Sequence, residues 1–350
     1  MGIFQLRQLN AAMAVTAFFI ACNRLIPVTH SDYPSPSIRL GSLPTARGGG
    51  ILTVHSGCRM SRWIFHGRVC KWSSPQPQIS QHLQNVSQLK ENDTIYIPFT
   101  EVERFVNDIL DDVSTTIVVI SGDWQNVEPI SNTAIGKLLN HSHVLKWFCQ
   151  NLPKYGGVNP YHLKIAPFPF GLKEGGMPKL NPLPSYKHIF FGSIQNKSLL
   201  NKTNFIFAGP LGNGDGKRSR LPQSTIRMNP TDFFLEMAKS KYVLSPNGDR
   251  PECFRHYEAI GLGSVPITEL DPFLYRHLDN GSVIFNNKEW NLTLLEKELH
   301  PKPIVKRSMI REDYWMDWVD DVIGSRINWN TYDNGNGLTE FQNGLLALLD

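Results

Sequence analysis

From about residue 51, short runs of apolar residues alternate with amphipathic segments. Thr94–Pro98 (TIYIP) reads as a strand. Between Glu101 and Asp112, Val102, Phe105, Val106 and Ile109 recur at helical spacing on one face, which predicts a helix. Thr115–Ile120 (TTIVVI) is apolar without interruption, the pattern of a strand buried on both faces of a parallel sheet. A short helix is expected over Asn132–Leu139, and further strands over Val144–Cys149 and Lys164–Phe168. This alternation is the signature of a layered α/β domain. The Gly- and Pro-rich stretch Gly171–Ser185 then interrupts it and reads as an interdomain linker.

The pattern restarts after the linker. Lys187–Gly192 (KHIFFG) and Asn204–Ala208 are strand candidates. Asn229-Pro230-Thr231-Asp232 opens a helix: Asn caps, Pro suits the first helical position, and Asp suits the positive end of the dipole. Phe233, Phe234, Met237 and Ala238 give that helix its apolar face. Tyr242–Pro246 is the next strand, and the loop Asn247–Arg250 leads into a helix from Pro251 to about Leu262. Gly263 ends it, and Ser264–Thr268 is again a strand. The sequence therefore predicts an α/β chain with two Rossmann-like domains, residues 51–180 and 181–300, whose parallel sheets face a cleft. Residues 301–350 add a helical segment. Trp315, Trp318 and Val319 lie at helical spacing there and pack across both domains as core residues.

The N-terminus has a different character. Ala11–Cys22 carries no charge and is shorter than the ~20 residues a spanning helix needs. Residues 1–28 read as a signal peptide or signal anchor, and 29–50, rich in Ser, Pro and Gly, as a stem. N-x-S/T sequons at Asn85, Asn92, Asn140, Asn196, Asn201, Asn280 and Asn291 agree with export. The Phe19-Ile20-Ala21-Cys22 run also resembles a lipoprotein box, so an exported lipoprotein acylated at Cys22 is a competing class. Beyond Cys22, Cys58, Cys70, Cys149 and Cys253 provide either two disulfides or buried free thiols.

Composition narrows the function. Net charge is +4, and Lys and Arg are scattered, which argues against nucleic acid as a partner. There is no C-x-x-C and no strict D-x-D, so no metal site or cofactor is expected; Glu269-Leu-Asp271 keeps a metal-assisted alternative open. His141 and His143 lack neighbouring carboxylates in sequence and read as surface residues. Asp123 follows the TTIVVI strand at its carboxyl end, where α/β proteins bind ligands. It is a candidate catalytic base for an acceptor hydroxyl, and also a plain turn residue in Ser121-Gly122-Asp123. No nucleophile elbow or P-loop occurs.

The chemistry concentrates in residues 240–273, where a strand delivers a loop of small residues onto a helix start. Such a start offers free N–H groups and a positive dipole to a diphosphate. Ser245, Asn247, Gly248, Asp249, Arg250, Glu252 and Arg255 are the donor-binding candidates. Arg218 and Arg220, in a basic loop, are candidates to reach phosphates across the cleft. Glu258 lies three residues beyond Arg255 on the same face and is assigned to ribose or sugar hydroxyls, with a catalytic role. An ordinary surface pair between Arg255 and Glu258 is the competing reading.

This segment resembles the donor-site signature of exostosin-like (GT47-type) glycosyltransferases. The likeness is carried by Leu244-Ser245-Pro246, Asn247-Gly248, Arg255, Glu258-Ala259 and Pro266-Ile267, with Cys253 where the family pattern has Ser and Ser264 where it has Cys. Upstream, Lys146–Asn151 and Ile165–Gly171 are similar to the acceptor-side end of glycosyltransferase-like proteins. The resemblance implies a GT-B fold and a hexosyl- or pentosyltransferase. It would take a nucleotide-diphosphate sugar as donor and a glycan or glycoprotein as acceptor. It also implies a type II membrane protein of the Golgi or endoplasmic reticulum with a lumenal catalytic region, secreted if the N-terminal segment is cleaved. A catalytically inactive glycan- or nucleotide-binding protein on the same fold is the alternative.

Overall fold

The computed structural model describes residues 52, 56–65, 81–122, 130–151, 162–173, 190, 193, 201–211, 221, 228–248, 250–278, 282–286, 290–299, 305–327 and 329. All of them lie in one compact unit, Thr45–Asp350. The signal and stem segments of the sequence reading fall outside the described residues. No helix among the described residues is long and apolar enough to cross a membrane.

In chain order the elements are α1 (Ser56–Met60), β1 (Trp63–Ile64), β2 (Gln81–His82), β3 (Asp93–Pro98), α2 (Val102–Asp108), β4 (Ile117–Gly122), α3 (Asn132–Asn140), β5 (Val144–Cys149) and β6 (Ile165–Pro167). They continue with β7 (Asn204–Phe207), α4 (Pro230–Lys239), β8 (Ser240–Leu244), α5 (Phe254–Gly261), β9 (Val265–Thr268), β10 (Ile284–Phe285), α6 (Leu292–Glu298) and α7 (Glu312–Ile323). The described strands form two sheets, ordered β2-β1-β3-β4-β5-β6 and β10-β9-β8-β7, and every pairing is parallel. The first order reverses between β1 and β3, as in doubly wound sheets; the second runs in one direction.

Strand alternation explains the layers. Across the first sheet, Ile64, Tyr96, Ile120, Phe148 and Ala166 lie in one row of register and share one core cluster. The next row, Trp63, Ile95, Val119, Trp147 and Ile165, turns to the opposite face and a second cluster. Both faces are buried, so the strands carry continuous apolar runs instead of alternating ones. In the second sheet Val243 faces the first cluster, whereas Tyr242, Leu244, Val265 and Ile267 join Leu295 and Leu299, from α6 and just after it, on the outer side. The first cluster thus runs continuously between the two sheets, through Met237 and Ala238 of α4, Tyr257 and Ile260 of α5, and Trp315 and Val319 of α7.

The helices start and stop for identifiable reasons. Asn229 caps α4 by accepting from the Asp232 N–H at 2.9 Å, with Pro230 in the first turn. Ser131 caps α3 through the Ala134 N–H. Gly263 follows α5 at φ 71°, a left-handed geometry that favours glycine. A Cβ on Gly261 would lie 2.8 Å from Phe190 Cζ and 2.9 Å from Ile310 Cδ1, so this position brings α5 close to both. Lys202 donates to the carbonyls of Ala238 and Leu262 and to Ser264 Oγ at 2.7–2.9 Å, tying together the ends of α4 and α5. Burial, with Arg307 nearby, lowers its ammonium pKa to about 8.

Two expectations need correcting. The helix expected from Pro251 begins at Phe254, with Cys253 as extended N-cap, because the Pro251-Glu252 bend turns Glu252 inward. Within KHIFFG, Phe190 is helical, as is Ser193 just beyond it. A short apolar run does not by itself separate a strand from a buried helical turn. The helix expected over Glu101–Asp112 is present as α2, with Val102, Phe105 and Val106 buried, and tighter 3₁₀ turns flank it at Phe99–Glu101 and Leu110–Asp112.

Two cross-chain contacts close the unit. Glu312, at the start of α7, accepts from Ser56 Oγ at 2.5 Å and from Arg59 Nη2 at 2.6 Å. The Leu52 N–H donates to the Ile310 carbonyl. Trp318 meets Phe148 edge-on, with ring centroids 5.6 Å apart, and Trp315 is fully buried. Cys58 is disulfide-bonded, while Cys149 and Cys253 are free. The two remaining cysteines, Cys22 and Cys70, lie outside the described residues.

Candidate functional site

The carboxyl end of β8 opens into the loop singled out by the sequence. The Ser245 N–H donates to the Ile267 carbonyl, which holds the loop to β9 for one more residue. The Asn247 N–H donates to Glu269 Oε2 at 2.9 Å, and Trp290 Nε1 donates to Glu269 Oε1 at 2.9 Å. Both oxygens of Glu269 are therefore engaged in shaping the loop. Asp271, the other half of the acidic pair weighed for metal, accepts from the N–H groups of Phe273 and Leu274 and caps a turn. Among the described residues, no group of three His, Cys, Asp or Glu side chains is placed to hold a metal ion.

Past the loop, Glu252 is almost fully buried and joins the two sheets. Its backbone N–H donates to Asn151 Oδ1 at 2.8 Å. Its Oε1 accepts from the Phe170 N–H at 3.2 Å and from the Tyr257 hydroxyl. Asn151 follows β5 at φ 55° and Phe170 follows β6, so the carboxyl ends of both sheets meet at this carboxyl group. Burial pushes the Glu252 pKa up to about 7, against the pull of the Tyr257 and Phe170 donors and of His256. Arg250 reaches the same seam, its guanidinium 5.9 Å from the Phe170 ring centre.

Arg255 turns the other way. Its Nη2 donates to the Pro210 carbonyl at 2.8 Å, and the guanidinium lies over the Phe233 ring at 5.2 Å. It therefore joins α5, the start of α4 and the segment after β7. Glu258 points from the next turn of α5 and is 5% exposed. Burial raises its pKa to about 8, with Lys173 as the opposing cation, so at neutral pH this carboxyl holds its proton. In that state it offers a hydroxyl donor and a carbonyl acceptor, a pair suited to a diol.

At the mouth of α5, Ser245 Oγ lies 2.5 Å from His256 Nδ1, and Cys253 Sγ lies 3.6 Å from both. His256 Nε2 faces the Pro251 carbonyl at 3.4 Å, which assigns a proton to that nitrogen.

Of the sequence candidates, Ser245, Asn247, Gly248, Arg250, Glu252, Arg255 and Glu258 gather at the carboxyl edge of β8 and β9. Asp123, Arg218, Arg220 and Asp249 lie outside the described residues. Gly122, the last residue of β4, accepts from the Tyr96 hydroxyl at 2.5 Å. Sequence reasoning missed Asn151, Tyr257 and His256 as members of this neighbourhood. The spacing of Cys253 and His256 was a usable signal, since residues three apart share a helix face. No local signal marks Asn151, whose role depends on a partner 101 residues away.

Residues 216–303 match the family model described as the RXYLT1 C-terminal domain. The matched stretch contains α4, β8, α5, β9, β10 and α6, and with them the whole β8–α5 loop. The match agrees with the resemblance of residues 240–273 to exostosin-like glycosyltransferases. A comparison with curated proteins gives no match.

Proposed function

We propose that this protein is a glycosyltransferase of the secretory pathway that moves a sugar, xylose being the first to test, from a nucleotide-diphosphate donor to a glycan or glycoprotein. The observation that carries the reading is the strand–loop–helix unit β8–α5 inside the matched stretch 216–303. In this reading the two sheets act as the halves of a GT-B enzyme, with the donor at the carboxyl edge of β8 and β9.

The diphosphate docks on the Asn247–Gly248 loop and the first turn of α5, where the helix dipole favours negative charge. Arg250 and Arg255 flank that turn, and Arg218 and Arg220 of the basic loop are further candidates for the phosphates. Glu258, protonated at neutral pH, bonds the hydroxyls of ribose or of the transferred sugar. Glu252 holds the loop against Asn151 and Phe170. Charge developing on the leaving diphosphate is stabilised by preorganised donors without a covalent intermediate on the chain. Asp123, next after Gly122, serves as the base that deprotonates the acceptor hydroxyl. The Cys58 disulfide supports an oxidising compartment, and the Golgi lumen is the site proposed.

The test is a thermal-shift screen of the full chain with UDP, GDP, CMP and their sugars, with and without Mn²⁺, followed by transfer assays. A ligand of the folded state raises apparent stability by mass action. A selective rise, lost in Arg255→Ala and Glu258→Ala together with turnover, supports the assignment. Intact binding and turnover in both variants sink it. Binding without transfer or hydrolysis assigns the chain to the binding-protein class.

A further inference from the structure

We propose that Cys253 is a modification site: a reactive thiolate, held by His256 and Ser245, that forms a mixed disulfide with a low-molecular-weight disulfide and so caps the mouth of α5. The statement that capping closes the donor site rests on the function proposed above; the thiol chemistry does not.

The argument starts from donors. His256 is fully buried and gives its Nε2 proton to the Pro251 carbonyl. A second proton on Nδ1 makes an imidazolium whose N–H reaches Ser245 Oγ at 2.5 Å, and Sγ is 3.6 Å from the same nitrogen. The Ser245 hydroxyl is then free to donate to Sγ, also at 3.6 Å. The sulfur thus has the Ser245 hydroxyl as donor and the imidazolium cation beside it at 3.6 Å, and sits at the N-cap of an eight-residue helix without making a cap bond of its own. The charged groups that face it are His256 and Arg255 on α5 and Glu252 on the preceding bend. Burial opposes ionisation, but His256, the bonds from His256 and Ser245, and Arg255 outweigh it and bring the thiol pKa down to about 6. Burial likewise opposes charge on His256, yet Cys253, Glu252 and the Pro251 carbonyl raise its pKa. A thiolate–imidazolium pair satisfies both.

Cys149 is the internal contrast. It is also free, but it is fully buried and its thiol is pushed well up by burial and by Glu252. Cys253 is partly exposed. The Cys58 disulfide agrees with the oxidising compartment proposed above, where a small disulfide is an available co-reactant. In the step itself, the Cys253 thiolate attacks one sulfur of the small disulfide. The old S–S bond breaks as the new one forms, and the departing thiolate takes a proton from the imidazolium. No further oxidant is needed.

The experiment alkylates the folded full chain with iodoacetamide across pH 5–10 and quantifies the Cys253 and Cys149 peptides by mass spectrometry. The expected Cys253 rate has its midpoint near pH 6. An ordinary thiol at that pH is about 300-fold below its plateau. Cys149 stays unlabelled. Incubation with glutathione disulfide places one glutathionyl group on Cys253, and reduced glutathione removes it. Cys253→Ser forms no adduct and folds, because Ser is a favoured N-cap. His256→Gln moves the midpoint up by two units or more; if it fails to fold, Ser245→Ala gives a smaller upward shift. A midpoint at pH 8–9, or no labelling of Cys253 in the folded chain, overturns the proposal. The thermal shift with UDP is expected to vanish in the glutathionylated protein and to persist in Cys253→Ser. An unchanged shift after capping overturns the closure. If the untreated chain shifts with none of UDP, GDP, CMP and their sugars, the glycosyltransferase reading and the closure fall together, and the thiol proposal stands or falls on its titration and reversal.

Discussion

The two sheets use buried polar groups in opposite ways. In the first, they serve pairing within the layer: Trp63 Nε1 donates to Asp93 Oδ2 at 2.7 Å, Trp147 Nε1 to Ser121 Oγ at 2.9 Å, and the Tyr96 hydroxyl to the Gly122 carbonyl. In the second, buried polar groups crowd the carboxyl edge and titrate away from their ordinary values: Glu252 near 7, Glu258 near 8, Cys253 near 6. A bond between strands specifies register; a displaced proton affinity equips a site. The contrast puts the displaced proton affinities at the β8–α5 edge, where the donor site is proposed.

Four substitutions test the contrast, in falling order of effect. Asp93→Ala leaves the Trp63 and Lys90 N–H donors and Arg62 without their carboxylate, and should cost about 3–5 kcal/mol in urea unfolding. Nucleotide affinity should survive in the folded fraction; a loss there would break the division of labour. Asn151→Ala removes the acceptor of the Glu252 N–H and puts Ala at φ 55°, for about 2–4 kcal/mol in all. Asn151→Gly relieves the backbone part and should cost about 1–3 kcal/mol. Both should weaken UDP binding, because the loop loses its anchor. Trp147→Phe removes the donor to Ser121 and leaves a small cavity in the second cluster, and should cost about 1–3 kcal/mol while leaving every pH profile unchanged.

A fifth substitution has the smallest effect at pH 5 and is the most selective. Glu258 ionises near pH 8 in the fold and near pH 4.3 in the unfolded chain. The folded state holds the extra proton in that window, so this group's contribution falls as pH rises through it and stays low above it. Glu258→Gln should flatten that slope, leaving Tm nearly unchanged at pH 5 and raising it by about 2 °C or more at pH 8.5. An unaltered slope would show that Glu258 is ionised at neutral pH and that the contrast between the sheets is weaker than drawn.

Much of the fold was legible because its causes are local. TTIVVI and VLKWFC are buried on both faces, and their apolar runs say so. Asn229-Pro230 sets the start of α4 with its own atoms. The two-residue strands β1, β2 and β10 were not legible, because so short a run carries no period and forms only against a neighbour. In the site, the β8–α5 loop was readable from its small residues and flanking Arg. Glu252 was readable as polar but not as buried: its donors come from Asn151 and Phe170, which no spacing rule connects to it. Its displaced proton affinity, like that of Glu258, comes from burial that only the assembled fold supplies.

The bond between Ser56 and Glu312 spans 256 residues. At a synthesis rate of about 5–20 residues per second, α1 is made about 13–51 s before its carboxylate partner. Arg59 waits equally for Glu312, and Leu52 for Ile310. Through that interval the inner row of the first sheet has no α7 to cover it. A chain truncated before Glu312 loses the acceptor of Ser56 and Arg59 and cannot make this closure.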